Sequence, residues 1–316
     1  MKLEFETQLE KLSAQDWSAR IEELADEHGN FTPLDDTHYA AFMDAGPKLI
    51  VTFENAEDIR KFNPDAAPRG FEFTQSHGWS HLAIISETES WFRSDAIYRY
   101  FDRLTDDGFF DDFDQVLFYG SGSCGYAASA YCVAAPGCNV LALRPQATLD
   151  PRITGWDTRY IKQRKLNFRD RYGFAADMID AANQVYVAFD PVQRWDASHA
   201  SIFAKRNVDL LRLTGLGGRL DVALDGIGYL GRMIERAMDG DIDTALYTKI
   251  LRARRDSVGY LRFLFTNMSR SNHPVLAANV CAHVLRQSDD NFFAKQMHDL
   301  REQGFEPSRP FKPFAA

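Results

Sequence analysis

Residues 115–128 read QVLFYGSGSCGYAA. A β-favouring apolar run, Gln115 to Tyr119, meets a turn of glycine and serine, Gly120 to Gly125, and a small-residue segment follows, Ala127 to Ala135. The pattern predicts strand, tight turn and helix, and the use of that turn decides how the rest of the chain is read. A phosphate-cradling P-loop needs a lysine after its last glycine, and Tyr126 stands there instead. A dinucleotide fingerprint needs Gly-x-Gly-x-x-Gly, which Gly120, Gly122 and Gly125 supply. The following strand ends in Arg144, so the ligand on that reading would be NADP. That fingerprint normally belongs to the first strand–helix unit, however, and three or four strands precede this one. A nucleophile elbow lifts a serine above the sheet between small residues. Ser121-x-Ser123-x-Gly125 offers Ser123 as nucleophile and the Cys124 N–H as half of an oxyanion hole.

Working outward, short runs rich in β-formers lie at 39–43, 48–53, 81–86, 115–119, 139–144, 184–189 and 207–213, each bounded by Gly, Pro, Asp or Asn. Near-continuous apolar runs of this length fit strands buried on both faces. Helical spacings fall between them at 91–105, 123–135 and 219–238. The expected architecture is α/β, a mostly parallel sheet with helices on both faces in three layers. Phe5, Leu9, Leu12, Trp17, Ile21 and Leu24 predict an amphipathic helical leader within 1–36. The core is expected over 37–240, with a lid-like insertion at 145–183. Three or four short helices are expected over 241–316 as a cap or a protein-binding surface.

The strand and helix order resembles an α/β-hydrolase from about residue 48 to 240. The elbow is similar to that of bacterial hydrolase-like proteins with a YGSSMGGYAA motif followed by a strand ending in Ser-Pro-Gln. Tyr119-Gly120-Ser121, Gly125-Tyr126-Ala127-Ala128 and Pro145-Gln146 carry the match. Aligned without a gap, the resembled serine falls on Gly122; a shift of one residue places it on Ser123. The resemblance implies acyl-group chemistry on an ester, thioester or amide, or a fold-mate without catalysis that binds a ligand or protein partner.

In such an enzyme the acid follows a later strand, which offers Asp190 or Asp196. The loop after the last strand, Thr214 to Arg219, holds no histidine, so His199 is the expected base, with His77 and His81 as second choices. Asn55, after the first core strand, is an expected second oxyanion donor. Cys124, at a helix start, is an alternative nucleophile. Arg144, Arg152 and Arg159, with Gln146 beside the first, are placed to hold a carboxylate or phosphate.

A formal charge of −9 over 316 residues argues against nucleic-acid binding, which needs a basic surface. No apolar run reaches the roughly 18 residues of a membrane span. The four cysteines lack metal-ligand spacing, and the acidic stretch Asp106 to Asp114 lacks the pattern of a calcium loop. The expectation is a cytoplasmic protein with no cofactor or metal, acting on a small molecule, with an anionic one among the candidates.

Overall fold

The computed structural model describes Leu3, Phe5 and residues 9–314. Eight strands form one sheet: β1 (Gly29–Asp35), β2 (His38–Met43), β3 (Lys48–Asn55), β4 (Ser80–Ser86), β5 (Gln115–Ser121), β6 (Asn139–Leu143), β7 (Gln184–Phe189) and β8 (Val208–Arg212). Their order across the sheet is β1-β2-β4-β3-β5-β6-β7-β8. β2 runs antiparallel to both neighbours and the pairs from β4 to β8 are parallel. This is the order and direction of an α/β-hydrolase sheet, and seven of the eight strands coincide with the predicted runs to within two residues.

Alternation along the strands divides the core. Val51, Phe53, Phe118, Val140 and Val187 face one layer; Ile50, Leu117, Leu141 and Tyr186 face the other. The helices that precede and follow the first strands are α1 (Ala14–His28), α2 (Ala56–Phe62), α3 (Phe71–His77), α4 (Asp95–Asp106) and α5 (Ser123–Tyr131). Two single turns, α6 (Pro151–Thr154) and α7 (Ala175–Met178), lie in the insertion, and α8 (Arg194–Ile202), α9 (Leu220–Gly226) and α10 (Leu230–Met238) follow. Caps set several starts: Ser13 Oγ accepts from the Asp16 N–H at α1, and Ser94 Oγ from the Ala96 N–H at α4.

Three details differ from the expectation. The sheet begins inside the expected leader, at β1, whose sequence GNFTPLD hides the strand. Pro33 cannot donate to a ladder, and the strand is tolerated at the edge, where only β2 pairs with it. α1 starts at Ala14, and Phe5 packs outside it against Phe71 with ring centroids 5.2 Å apart. Residues 1, 2, 4 and 6–8 of the expected helix lie outside the described residues. The insertion 145–183 is built into the core: Ala147, Leu149, Phe168, Ala175 and Ile179 are buried in the same cluster as β5 and β6. The Tyr126 hydroxyl donates to the Tyr172 carbonyl at 2.5 Å, and Arg93 donates to the Asn167 carbonyl, fastening it further.

At the C-terminal end lie α11 (Thr244–Ala253), α12 (Val258–Arg270), α13 (Pro274–Leu285) and α14 (Asn291–Glu302). Leu261, Phe265, Cys281, Phe293 and Met297 give the last three helices a cluster of their own. Arg254 ties this part to the sheet by donating to the Thr214 carbonyl at 2.6 Å.

Candidate functional site

Parallel strands bring the loops after β3, β5, β6 and β7 to one edge, where α/β sheets bind ligands. β5 ends at Ser121 and α5 begins at Ser123, so the turn between them is the single residue Gly122, with φ 63° and ψ −123°. The Gly122 N–H donates to the Leu143 carbonyl, and the Tyr126 N–H donates to the Gly122 carbonyl, both at 2.9 Å. Gly120 has no room for a side chain, since a Cβ there would fall 2.2 Å from the Cys124 carbonyl oxygen. The chain therefore passes from strand to helix through one residue of positive φ, which glycine adopts without steric cost, and that residue is Gly122 and not Ser123. Ser123 already has helical geometry one position beyond. Gly125, a turn into α5, packs against the Leu143 carbonyl.

Cys124 is buried near the carboxyl groups of Glu54 and Asp58. Burial first, and then those neighbouring negative charges, push its thiol well above the usual range, so it is no thiolate. The helix-start effect expected to activate it loses to desolvation.

The space above Gly122 is taken by an arginine. A Cβ on Gly122 would lie 3.1 Å from one terminal nitrogen of Arg144 and 3.3 Å from its Cζ. Arg144 follows β6 with a left-handed backbone, φ 44°, and its N–H donates to the Ala188 carbonyl at 2.6 Å. Its Nε is buried and has no hydrogen-bond partner among the described residues. Arg152 is already paired with Asp150, and Arg159 with Asp157 and Asp196. Of the three arginines expected to hold an anion, Arg144 is the one without an ion-pair partner among the described residues. Gln146 is fully buried behind it, donating to the Arg144 carbonyl at 3.1 Å, and does not reach the cleft.

Arg144, Tyr119, Ser121, Cys124, Asn55 and Asp221 line a cleft at this edge, with Glu54 and Arg69 beside them. Its volume is about 40 Å³. At roughly 10–15 Å³ for each water, that is space for about three waters, the size of one headgroup and not of an acyl chain with its leaving group. Glu54 is fully engaged: Thr52 Oγ1 donates to it at 2.7 Å, the Asn63 amide at 2.9 Å and the Arg69 N–H at 3.0 Å. Burial raises the Glu54 carboxyl above its ordinary range despite these donors. Asn55, the expected oxyanion donor, lies in the cleft as the N-cap of α2.

The remaining expected triad members serve other purposes. Asp190 is buried at the end of β7, where it accepts from the Val192 N–H at 3.0 Å and the Gly217 N–H at 2.8 Å. It holds the loop after β8 in place, and that loop has no histidine. Asp196 faces Arg159 at 2.6 Å, not His199. His199 is completely buried, with both ring nitrogens engaged: Nδ1 accepts from the Ala147 N–H at 3.2 Å and Nε2 meets Asp157 Oδ2 at 3.0 Å. Burial lowers its pKa more than the opposing Asp157 hydrogen bond and charge raise it. It joins the insertion to α8, and neither ring nitrogen is open to the cleft. His81, a second choice, is buried within β4, and His77 pairs at 3.5 Å with Glu235.

One constellation was not legible from sequence. His38 Nδ1 meets Asp35 Oδ1 at 2.7 Å and His38 Nε2 meets Ser90 Oγ at 2.6 Å. Asp35 also accepts from the backbone N–H of Thr37 and of His38, and from the Ser94 hydroxyl. Ser90 Oγ accepts from the Phe92 N–H and lies 2.9 Å from Ser86 Oγ. These bonds pin the β1–β2 hairpin to the loop after β4, and Ser90 is not among the cleft residues.

No group of metal-ligating side chains occurs among the described residues. Scans against protein families and curated proteins find no match. Among solved structures, the chain is similar to a capsule O-acetyltransferase of Neisseria meningitidis serogroup A at 13% identity and TM-score 0.41, covering 64% of this chain and 92% of that one. It is similar to a glycosylation-associated protein complex from Streptococcus agalactiae at 13% identity and TM-score 0.45, covering 65% of this chain and 45% of that one. A third likeness, to a carboxyl esterase from the mycorrhizal fungus Tuber melanosporum, has 12% identity and TM-score 0.41 over 70% of this chain and 84% of that one. The chemistry is read from the cleft itself.

Proposed function

We propose that this α/β-hydrolase-like protein does not run acyl transfer at its elbow and instead binds a small anionic ligand there. The observation that carries this reading is Gly122 at the apex with the Arg144 guanidinium in the space a nucleophile's side chain would fill. Both nitrogens of His199 are occupied, and the loop after β8 offers no replacement, which supports the same conclusion. The role expected of Ser123 as a nucleophile on an ester, thioester or amide gains no support from this arrangement. The dinucleotide reading gains none either, because a cleft of about 40 Å³ is far below the roughly 300 Å³ at which ligand pockets begin.

Treatment of the folded protein with a fluorophosphonate probe tests this. No labelling is expected, either of wild type or of Gly122→Ser, which restores a hydroxyl without a base. Labelling that disappears in Ser123→Ala would restore the hydrolase reading. Labelling that disappears in Ser90→Ala would move the activity to the Asp35–His38–Ser90 constellation and overturn the proposal.

A further inference from the structure

The cleft holds an unusual collection of polar atoms without partners. Tyr119 is 4% exposed, and its side chain lines the cleft. Ser121 Oγ and Arg144 Nε are buried and have no hydrogen-bond partner among the described residues. α5 begins beside them, and its N-cap, Gly122, has no side chain to satisfy the first helical N–H groups. A buried donor left unpaired costs on the order of 1–3 kcal/mol, so several at one place mark a missing acceptor. An arginine beside the positive end of a helix is also unfavourable unless an anion lies between them.

The other charges around the cleft are accounted for. Arg69 pairs with Asp225 at 3.0 Å, and Arg219 pairs with Asp58 at 3.3 Å and with Asp221 Oδ2 at 3.4 Å. Glu54 has its oxygens taken by Thr52, Asn63 and the Arg69 N–H. Arg144 is left as the unpaired cation. One acceptor is left over as well: Asp221 Oδ1 is buried with no donor among the described residues.

That leftover acceptor selects among anions. A carboxylate or a sulfate presents only acceptors at neutral pH and would face Asp221 with repulsion. A phosphoryl group that keeps a proton presents acceptor oxygens to Arg144, Tyr119, Ser121 and the start of α5, and one hydroxyl donor to Asp221. We propose that the cleft is a site for a proton-bearing phosphoryl group, with Arg144 as its cationic clamp and Asp221 Oδ1 as the acceptor of its hydroxyl. This rests on the anion-binding reading above and goes further by naming the headgroup. The volume, about 40 Å³, matches a headgroup. Free phosphate and a phosphate monoester share this chemistry; the monoester carries the proton only near and below a pH of about 6.

Calorimetric titration of the full chain with inorganic phosphate, sodium sulfate, acetate and glycerol phosphate tests it. Saturable binding of inorganic phosphate at neutral pH is expected, with sulfate and acetate about tenfold weaker or worse. Glycerol phosphate should bind better at pH 5.5 than at pH 8 if monoesters are accepted; inorganic phosphate binding with no glycerol phosphate binding at either pH would assign the site to the free ion. Arg144→Met should weaken phosphate at least tenfold, with Arg144→Lys intermediate because the charge stays and the fork is lost. Asp221→Asn should narrow the gap between phosphate and sulfate. Circular dichroism confirms that each variant is folded.

Equal affinity for phosphate and sulfate, or a gap unchanged in Asp221→Asn, would overturn the assignment of Asp221 and with it the phosphoryl specificity. Acetate binding that depends on Arg144, in the absence of phosphate binding, would sink the phosphoryl proposal and leave the anion reading standing. No Arg144-dependent binding of any of the four would end both.

Discussion

Lowering the pH from 7.5 to 5.0 should destabilise this protein through one buried histidine beneath the cleft. His81 Nε2 lies 2.8 Å from Thr52 Oγ1, and Thr52 in turn donates to Glu54 Oε1 at 2.7 Å. The hydroxyl has one proton and gives it to Glu54, so it accepts from His81, which places a ring proton on Nε2. Nδ1 is buried and has no partner among the described residues. A second proton would have to sit there, out of water and without an acceptor, and burial lowers the His81 pKa to about 3. In the unfolded chain the same ring titrates near about 6.5. The folded pKa is depressed, so this contribution is intact above pH 6.5 and is lost as pH falls toward 3, when the unfolded state takes up the proton first. The slope is about 1.4 kcal/mol per pH unit, which gives about 2 kcal/mol by pH 5. Glu54, whose carboxyl is raised by burial, works in the opposite direction, and His199 in the same one. The His81→Gln variant removes only the His81 contribution while leaving an amide donor for Thr52. Urea unfolding of both proteins at pH 7.5 and 5.0 isolates it: wild type should lose about 2 kcal/mol more than the variant. Parallel losses, within about 0.5 kcal/mol, would refute the neutral, orphaned ring and with it the assigned direction of the chain from His81 to Glu54.

Three other outcomes follow from the same packing. Gly120→Ala puts a methyl group 2.2 Å from the Cys124 carbonyl oxygen, which is backbone and cannot rotate away; a loss of about 3 kcal/mol or more in thermal unfolding is expected. His199→Gln loses the ring that joins the Ala147 N–H to Asp157. It should cost about 2–4 kcal/mol and speed proteolysis of the 145–183 insertion, with no change in fluorophosphonate labelling. Cys124 should be alkylated far more slowly than a free thiol at pH 7.5 because burial disfavours its thiolate. Alkylation at the free-thiol rate would contradict that burial.

Much of the sheet was legible because fully buried strands need continuous apolar runs, as in LIVTF and VLFY, and tight turns need glycine, Asp, Asn or Pro around them. β1 was not, since an edge strand with one partner carries little apolar demand and tolerates Pro33. His199 lies on the segment between β7 and β8, and its partner is Asp157 from the insertion. Nothing in a spacing of three along α8 could show that Asp196 would turn to Arg159 instead. The asparagine expected at the oxyanion position and Arg144 expected at the ligand edge both line the cleft. Asp221 gave no sequence signal, because a buried oxygen without a donor is a property of surroundings and not of residue type.

By itself the sequence determined that strand, turn and helix meet between Gly120 and Gly125, since local propensity and the need for small residues act over a few positions. Which residue stands at the apex was a matter of one peptide unit. Only the tertiary structure decided it, when the pairing of Ser121 with Leu143 on β6 fixed where the strand ends and left Gly122 with the left-handed φ. The same packing brought Arg144 over that glycine from 22 positions further along the chain. A side chain's reach across a sheet edge is set by register and by backbone turns in two strands at once, and no single stretch of sequence contains both.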